Sequence, residues 1–241
     1  MTEDATIEHV SNQALVVGAS RGIGLGLVRV LLGRGWQVTA TVRDTARTPQ
    51  ALAELQASHG AALEIIGLDL GQSSRPADLA ASFGPHKLNL LVISAGIMGP
   101  DHQCAEQTNR KEVGELFDIN AMAPLRLARA LLPTMASGGI IGFMSSRMGS
   151  VSLNDAGDRE LYRASKAALN SLSRGFAVNE AIPAEVGVLN LHPGWVQTDM
   201  GGDEAPVTIE QSVTGLVNVM ENALGRVEQR FLDFEGQTLT W

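Results

Sequence analysis

Cysteine is almost absent from this chain of 241 residues, which carries only Cys104. A lone thiol cannot form an intramolecular disulfide, so the sequence predicts a protein of a reducing compartment. Long apolar runs are missing as well, since no stretch approaches the ~18–20 residues that a membrane helix needs. The segment Met1–Asn12 is polar and acidic, unlike a signal peptide. We therefore expect a cytoplasmic protein without a membrane partner.

Positive charge is also scarce. Lys and Arg number 18 against 26 Asp and Glu, which gives a net charge of −8, and no basic cluster occurs. That balance argues against nucleic acid as a partner. The histidines and the cysteine have no spacing typical of a metal site, so no metal is expected. Repeats, low-complexity runs and internal linkers are absent, and residues 1–241 are predicted to form a single domain.

The chain does contain an alternation of short apolar runs and amphipathic stretches. The runs predict seven strands: Ala14–Val17, Trp36–Val42, Leu63–Leu68, Leu88–Ile93, Gly139–Met144, Glu185–Leu191 and Arg230–Phe234. Three helices are predicted over Gly22–Leu32, Ser73–Phe83 and Arg110–Leu132. Another begins after the N-cap Thr48, and a fifth carries Tyr162 and ends near Ala181. The last begins at the capping box Thr208–Gln211. The pattern predicts an α/β fold of Rossmann type, a doubly wound parallel sheet with helices on both faces.

A glycine-rich turn joins the first predicted strand to the first helix, with the sequence Gly18-Ala-Ser-Arg-Gly-Ile-Gly24. Gly18 permits a tight turn, while Gly22 and Gly24 allow a diphosphate to approach the helix N-terminus. The alternative is a tight turn without a ligand. Because a strand precedes the turn and a helix follows it, dinucleotide binding is the favoured interpretation.

The end of the second strand indicates which dinucleotide binds. An acidic residue there binds the ribose of NAD, whereas an arginine accommodates the 2′-phosphate of NADP. Here Arg43 follows the strand, and Arg21 in the glycine loop offers a second guanidinium. The alternative is a solvated Arg43 paired with Asp44. Asp69, which follows the third strand, is either part of the adenine site or a helix cap.

Tyr162 and Lys166 are four residues apart on a predicted helix and therefore share one face. An ammonium about 4 Å from a phenol, at an effective dielectric constant of about 20, favours the phenolate by about 4 kcal/mol, or roughly three pKa units. Such a tyrosine exchanges protons near neutrality. The alternative is a solvated lysine beside a half-buried tyrosine. Asn120, in an apolar helical stretch, is either functional or bonded to neighbouring backbone.

Taken jointly and in order, these motifs resemble those of the short-chain dehydrogenase/reductase family over nearly the whole chain. The matching residues are Gly18, Gly22, Gly24, Asp69, Ala95, Gly96, Asn120, Ser146, Tyr162, Lys166, Pro193, Gly194 and Thr198. Within the family, Ser145–Ser150, Tyr162–Asn170 and Phe231–Gln237 resemble C-factor and sniffer-type carbonyl reductases. The resemblance implies NADP(H) as cofactor and a homodimer or homotetramer.

The resemblance also implies residue roles. Tyr162 is the general acid, Lys166 holds the nicotinamide ribose and lowers the tyrosine pKa, and Ser146 binds the substrate oxygen. Asn120 holds a water that passes protons to solvent. The implied cofactor site comprises Gly18, Ser20, Arg21, Gly22, Ile23, Gly24, Arg43, Asp69, Leu70, Ser94, Ala95, Gly96, Tyr162, Lys166, Pro193, Gly194, Val196 and Thr198.

Two functions follow as hypotheses. One is NADPH-dependent reduction of a ketone or aldehyde, in an apolar pocket near Met98 and Trp195. The other is an NADP(H)-binding signalling or interaction protein with little turnover, because Val17 and Ile93-Ser94 replace residues that usually tie the glycine loop in the family. The segment Asp199–Pro206 is short, which predicts an open site.

Overall fold

The computed structural model describes residues 12–71, 76–85 and 87–241. The predictions for the polar segment before residue 12 and for a helix start at Ser73 lie outside these described residues. The seven strands are β1 (Gln13–Val17), β2 (Gln37–Val42), β3 (Leu63–Gly67), β4 (Leu88–Ile93), β5 (Met135–Met144), β6 (Gly187–His192) and β7 (Gln229–Asp233). They form one parallel sheet in the order β3-β2-β1-β4-β5-β6-β7, which confirms the predicted architecture.

Seven α-helices cover the two faces of the sheet in the described part of the chain. They are α1 (Gly22–Gly33), α2 (Gln50–His59), α3 (Pro76–Phe83), α4 (Arg110–Phe117), α5 (Ala123–Leu131), α6 (Glu160–Phe176) and α7 (Ile209–Ala223). Side chains alternate along each strand, so Val16 packs with α1 and α7 while Leu15 and Val17 pack with α5 and α6. No described helix combines the length and apolarity that crossing a bilayer requires.

The direction of chain progression reverses between β1 and β4, and this switch point leaves a crevice at the carboxyl edge. The glycine loop is held there by the carbonyl of Val17, which accepts from Ser94 N at 2.9 Å and Ala95 N at 3.1 Å. Gly18 N also donates to Thr41 Oγ1 at 3.1 Å. Main-chain bonds and Thr41 therefore tie the loop, although Val17 and Ile93-Ser94 replace the residues that usually do so in the family that the sequence resembles.

One predicted helix start was wrong, and two predicted helices each contain a π-helical turn. Helix α2 has Pro49 as its N-cap, because the Thr48 hydroxyl bonds back to Thr45 O within the preceding turn. The predicted helix Arg110–Leu132 is interrupted by a π-helical turn, Asp118–Met122, before Pro124, which has no N–H to donate to the Asn120 carbonyl. A second π-helical turn, Ala177–Ala181, follows α6.

Candidate active site

A cleft of about 750 Å³ opens at the carboxyl edge of the sheet, above the switch point. The predicted site residues that line it are Gly18, Ser20, Arg21, Gly22, Ile23, Gly24, Arg43, Asp69, Leu70, Ser94, Ala95, Gly96, Tyr162, Lys166, Pro193 and Thr198. The other predicted residues, Asn120, Ser146, Gly194 and Val196, do not line it. The Val196 side chain is buried and its backbone pairs with Val207. A larger groove of about 990 Å³, beside α7 and β7, contains none of the predicted residues.

The glycine loop leaves no room for side chains where it meets α1. A Cβ placed on Gly24 would lie 2.0 Å from the carbonyl oxygen of Gly18. Gly18 and Gly22 have positive φ angles of 86° and 54°, which favour glycine. The N-cap of α1, Arg21, makes no side-chain capping bond, so the first-turn N–H groups are available to an anion.

Arg43 is exposed beside this loop and makes no ion pair or side-chain hydrogen bond within the described ranges. The carboxylate of Asp44 instead accepts from Ala46 N at 3.0 Å and lies 3.7 Å from Arg47 Nε. The alternative is therefore wrong about the pairing of Arg43 with Asp44, although Arg43 is solvent-exposed as it predicts. Arg21 forms an exposed ion pair with Asp199 across the cleft. One guanidinium at the β2 end thus remains open to a phosphate.

Tyr162 lies in the first turn of α6, only 7% exposed, and its hydroxyl hydrogen-bonds Ser146. Lys166, one turn later and 4% exposed, donates from Nζ to Met144 O at 2.9 Å. That nitrogen lies 5.8 Å from the centroid of the Tyr162 ring. The structure therefore brings Ser146 and Lys166 to Tyr162, and Tyr162 and Lys166 both line the cleft.

Burial dominates the acid–base properties of this group. It raises the pKa of Tyr162 to about 12, although the Ser146 hydrogen bond and the charge of Arg159 act in the opposite direction. Burial also lowers the pKa of Lys166 to about 8. The predicted depression of the tyrosine pKa by Lys166 is wrong here, because both groups lose hydration and the ammonium faces a carbonyl rather than the phenol oxygen.

Adjacent serines at the end of β5 point in different directions. The Ser146 hydroxyl accepts from Met148 N at 3.1 Å and faces Tyr162. The Ser145 hydroxyl donates to Asn170 Oδ1 at 2.6 Å within a buried polar network. Of the two, Ser145 lines the cleft, whereas Ser146 is the one whose hydroxyl lies against that of Tyr162.

The side chain of Asn120 is fully buried and bonded on both sides. Its Oδ1 accepts from Ile97 N at 2.8 Å, and its Nδ2 donates to Ile97 O at 2.8 Å and to Ser165 Oγ at 3.0 Å. A Cβ on Gly96 would lie 3.2 Å from Asn120 Oδ1 and 3.4 Å from Lys166 Nζ. Asn120 thus holds the backbone beside Lys166, as the backbone-bonded alternative predicts.

Several lining residues were missed by the sequence interpretation: Val17, Thr41, Val42, Leu68, Gly71, Ile97, Ile119, Met144, Ser145, Gln197, Asp199, Met200, Gly202, Asp203 and Ile209. Thr41 could have been predicted as a lining residue from the sequence, because it lies at the carboxyl end of a predicted strand. The ion pair of Asp199 with Arg21 carried none, since 178 positions separate the residues. Within the described ranges, no group of three His, Cys, Asp or Glu residues is arranged to hold a metal ion.

His192 is the last residue of β6, and its Nδ1 is buried without a partner in the described part of the chain. Burial lowers its pKa from 6.5 to about 4. As the pH falls from 6.5 to 4, the unfolded chain binds a proton that the folded protein resists, so the free energy of unfolding should fall by up to about 3 kcal/mol. We expect His192→Gln to flatten this dependence in urea unfolding. The exposed His59→Gln is the control, and an unchanged slope in His192→Gln would contradict the assignment.

Comparison with known proteins agrees with this geometry. The profile described as short chain dehydrogenase matches residues 12–226. A carbonyl reductase from Pseudomonas aeruginosa PAO1, solved in complex with NADP, is 43% identical with a TM-score of 0.88, covering 96% of this chain and 100% of that one. The carbonyl reductase Sniffer of D. melanogaster is 30% identical with a TM-score of 0.86, covering 96% and 100%.

Another relative has a name that refers to signalling. The C-signal of Myxococcus xanthus is 37% identical over 157 residues, which are 64% of this chain and 93% of that protein. The profile match covers most of the chain and includes the glycine loop, Ser146, Tyr162 and Lys166. The protein therefore belongs to the short chain dehydrogenase family of oxidoreductases.

Proposed function

We propose that this protein is an NADPH-dependent carbonyl reductase that converts a ketone or aldehyde to an alcohol. The observation that carries the proposal is the placement of Tyr162 and Lys166 in the cleft that the glycine loop lines, with the Ser146 side chain against the Tyr162 hydroxyl. The loop fits a dinucleotide because Gly18 and Gly22 have positive φ angles and the N–H groups of the first turn of α1 have no side-chain cap. Relatives that carry the carbonyl reductase name, one of them in complex with NADP, support the same conclusion.

When bound, NADPH supplies the hydride, and the residues of the chain position the substrate and the protons. Ser146 donates a hydrogen bond to the substrate oxygen, where negative charge develops. Tyr162 gives its proton to that oxygen. Its high pKa keeps it protonated at neutral pH, which is the form that reduction requires and oxidation does not.

After Tyr162 has given up its proton, Lys166 and Asn120 provide the route by which a new proton reaches it from solvent. Lys166 has a pKa of about 8, so it gains and loses a proton close to neutral pH. Pro124 leaves the carbonyl of Asn120 without its α-helical donor, and this carbonyl holds the water through which protons reach solvent. The side chain of Asn120 is committed to Ile97 and Ser165 and acts by positioning.

The choice of NADPH over NADH is assigned to Arg43. We expect Arg43→Ala to weaken NADPH binding by roughly 10–100-fold, the value of a charge-assisted guanidinium–phosphate contact. NADH affinity should stay within about twofold, because that cofactor lacks the phosphate. Isothermal calorimetry with both cofactors measures the difference. Arg47→Ala, which changes an exposed arginine of the next turn, is the matched control, and equal weakening of both cofactors by Arg43→Ala would overturn the assignment.

The alternative function is an NADP(H)-binding signalling protein with little turnover, which the similarity to C-signal favours. Two measurements on the same preparation separate the functions. Calorimetry gives the NADPH affinity, and loss of NADPH absorbance gives turnover with a panel of aldehydes, ketones and quinones. Turnover on any panel member above the rate of Tyr162→Phe supports the reductase. Tight NADPH binding without turnover on every member supports the alternative.

A further inference from the structure

Helix α6, which carries Tyr162, does not cap its own N-terminus. Arg159 occupies the N-cap position with φ 51° and ψ 47° and makes no side-chain capping bond. Ser, Thr, Asp or Asn ordinarily stands there and accepts from the N–H groups of the second and third helical residues. In α6 these residues are Leu161 and Tyr162. The support of Tyr162 must therefore come from elsewhere in the chain.

Gln103 provides that support from the loop that follows β4. Its carbonyl accepts from Leu161 N at 3.3 Å, and its side-chain Oε1 accepts from Tyr162 N at 3.0 Å. These are the two N–H groups that an N-cap would satisfy. Glu160 returns a bond in the other direction, because its carboxylate accepts from Ala105 N at 3.2 Å. Gln103 thus caps a helix that begins 57 positions later in the chain.

The other end of the same amide fixes its orientation. Gln103 Nε2 donates to Pro100 O at 2.6 Å and to Met98 O at 3.2 Å. Rotating the amide by half a turn would set its NH₂ against Tyr162 N–H and its oxygen against two carbonyls. The arrangement therefore admits only one orientation, in which Oε1 faces α6.

The loop that Gln103 holds is anchored at both of its ends. Ile97 is bonded through its N–H and carbonyl to Asn120. Asn109 and Glu112 form the capping box that starts α4. Between these anchors, Gln103 makes both of the loop's hydrogen bonds to Leu161 N and Tyr162 N, beside the bond from Ala105 N to Glu160. Displacement of that turn would move the phenol away from Ser146.

We propose that Gln103 is a positioning residue for carbonyl reduction, which caps α6 from the loop after β4 and so sets the Tyr162 hydroxyl beside Ser146. The inference rests on the proposed reductase function. A misplacement of about 1 Å can cost about 10²-fold in rate, so Gln103→Ala should lower kcat by roughly 10–100-fold. NADPH affinity should stay within about twofold, because Gln103 does not line the cleft.

The matched control is Gln107→Ala, which changes an exposed glutamine of the same loop with no side-chain hydrogen bond in the described part of the chain. Gln103→Glu is the second variant. It keeps the acceptor for Tyr162 N but places a carboxylate against the carbonyls of Met98 and Pro100. We expect it to move the alkaline limb of the kcat profile to higher pH, an effect that a purely structural role would not produce.

A second readout does not depend on turnover. Tyr162 is the only tyrosine of the chain, so tyrosinate absorbance during a pH titration reports this residue alone. Gln103→Ala should shift that titration relative to the wild type, while Gln107→Ala should reproduce the wild-type curve. If the wild type has no turnover but the titration shifts, the reductase proposal fails and the capping role stands. If Gln103→Ala matches Gln107→Ala in kcat and in titration, or if its whole loss lies in NADPH affinity, the positioning role is overturned.

Discussion

Tyr162→Phe is expected to lower kcat/KM for carbonyl reduction by about 10³-fold while NADPH affinity stays within about twofold. Phenylalanine fills the same buried volume and removes only the hydroxyl that hydrogen-bonds Ser146. The loss therefore measures proton donation and not packing. Steady-state kinetics with the best substrate of the panel, together with calorimetry for NADPH, gives both numbers.

The same variant is the blank for the tyrosinate titration, because it leaves the chain without tyrosine. The wild type should show its tyrosinate transition near pH 12, above the ordinary value of about 10. Reduction should then proceed at neutral pH, whereas alcohol oxidation should require alkaline conditions. Retention of more than about a tenth of the wild-type kcat/KM by Tyr162→Phe would remove Tyr162 from the acid role.

Lys166→Met is expected to lower kcat/KM by roughly 10²–10³-fold and to stabilise the folded protein measured without added cofactor. Burial lowers the Lys166 pKa from 10.5 to about 8, which costs about 3 kcal/mol at neutral pH. Methionine removes this cost and so stabilises the folded protein. The loss of the hydrogen bond to Met144 O destabilises it by about 1 kcal/mol. The free energy of unfolding should therefore rise by about 2 kcal/mol in urea titrations.

The pH dependence identifies the origin of this gain. Between pH 8 and 10 the unfolded chain holds the Lys166 proton more tightly than the folded protein does, so wild-type stability should rise with pH. Above pH 10 the raised pKa of Tyr162 reverses the slope, because the unfolded tyrosine ionises first. Lys166→Met should be flat between pH 8 and 10, whereas the exposed Lys111→Met should follow the wild type. A less stable Lys166→Met would show that burial of the ammonium is not the dominant cost.

Strand and helix positions were accessible from the sequence because they depend on local patterns. The run before Gly18 predicts β1, since a strand buried on both faces is apolar throughout. The box formed by Thr208 and Gln211 predicts the start of α7, because both partners lie within one turn. The predicted helix limits were wrong where the local backbone conformation depends on residues outside the segment itself. Pro124 is tolerated inside a predicted helix only because a π-helical turn precedes it.

The sequence by itself determined the family and the set of candidate residues, since glycine spacing and the Tyr162–Lys166 interval are properties of a single element. Only the tertiary structure decided how those residues behave. The pKa of Tyr162 depends on burial beneath other elements, which the i, i+4 spacing does not contain. Whether Arg43 is neutralised depends on where Asp44 points. The support of α6 by Gln103 joins residues far apart in the chain, and hydrogen bonds of that kind exist only after folding has set both groups at contact distance.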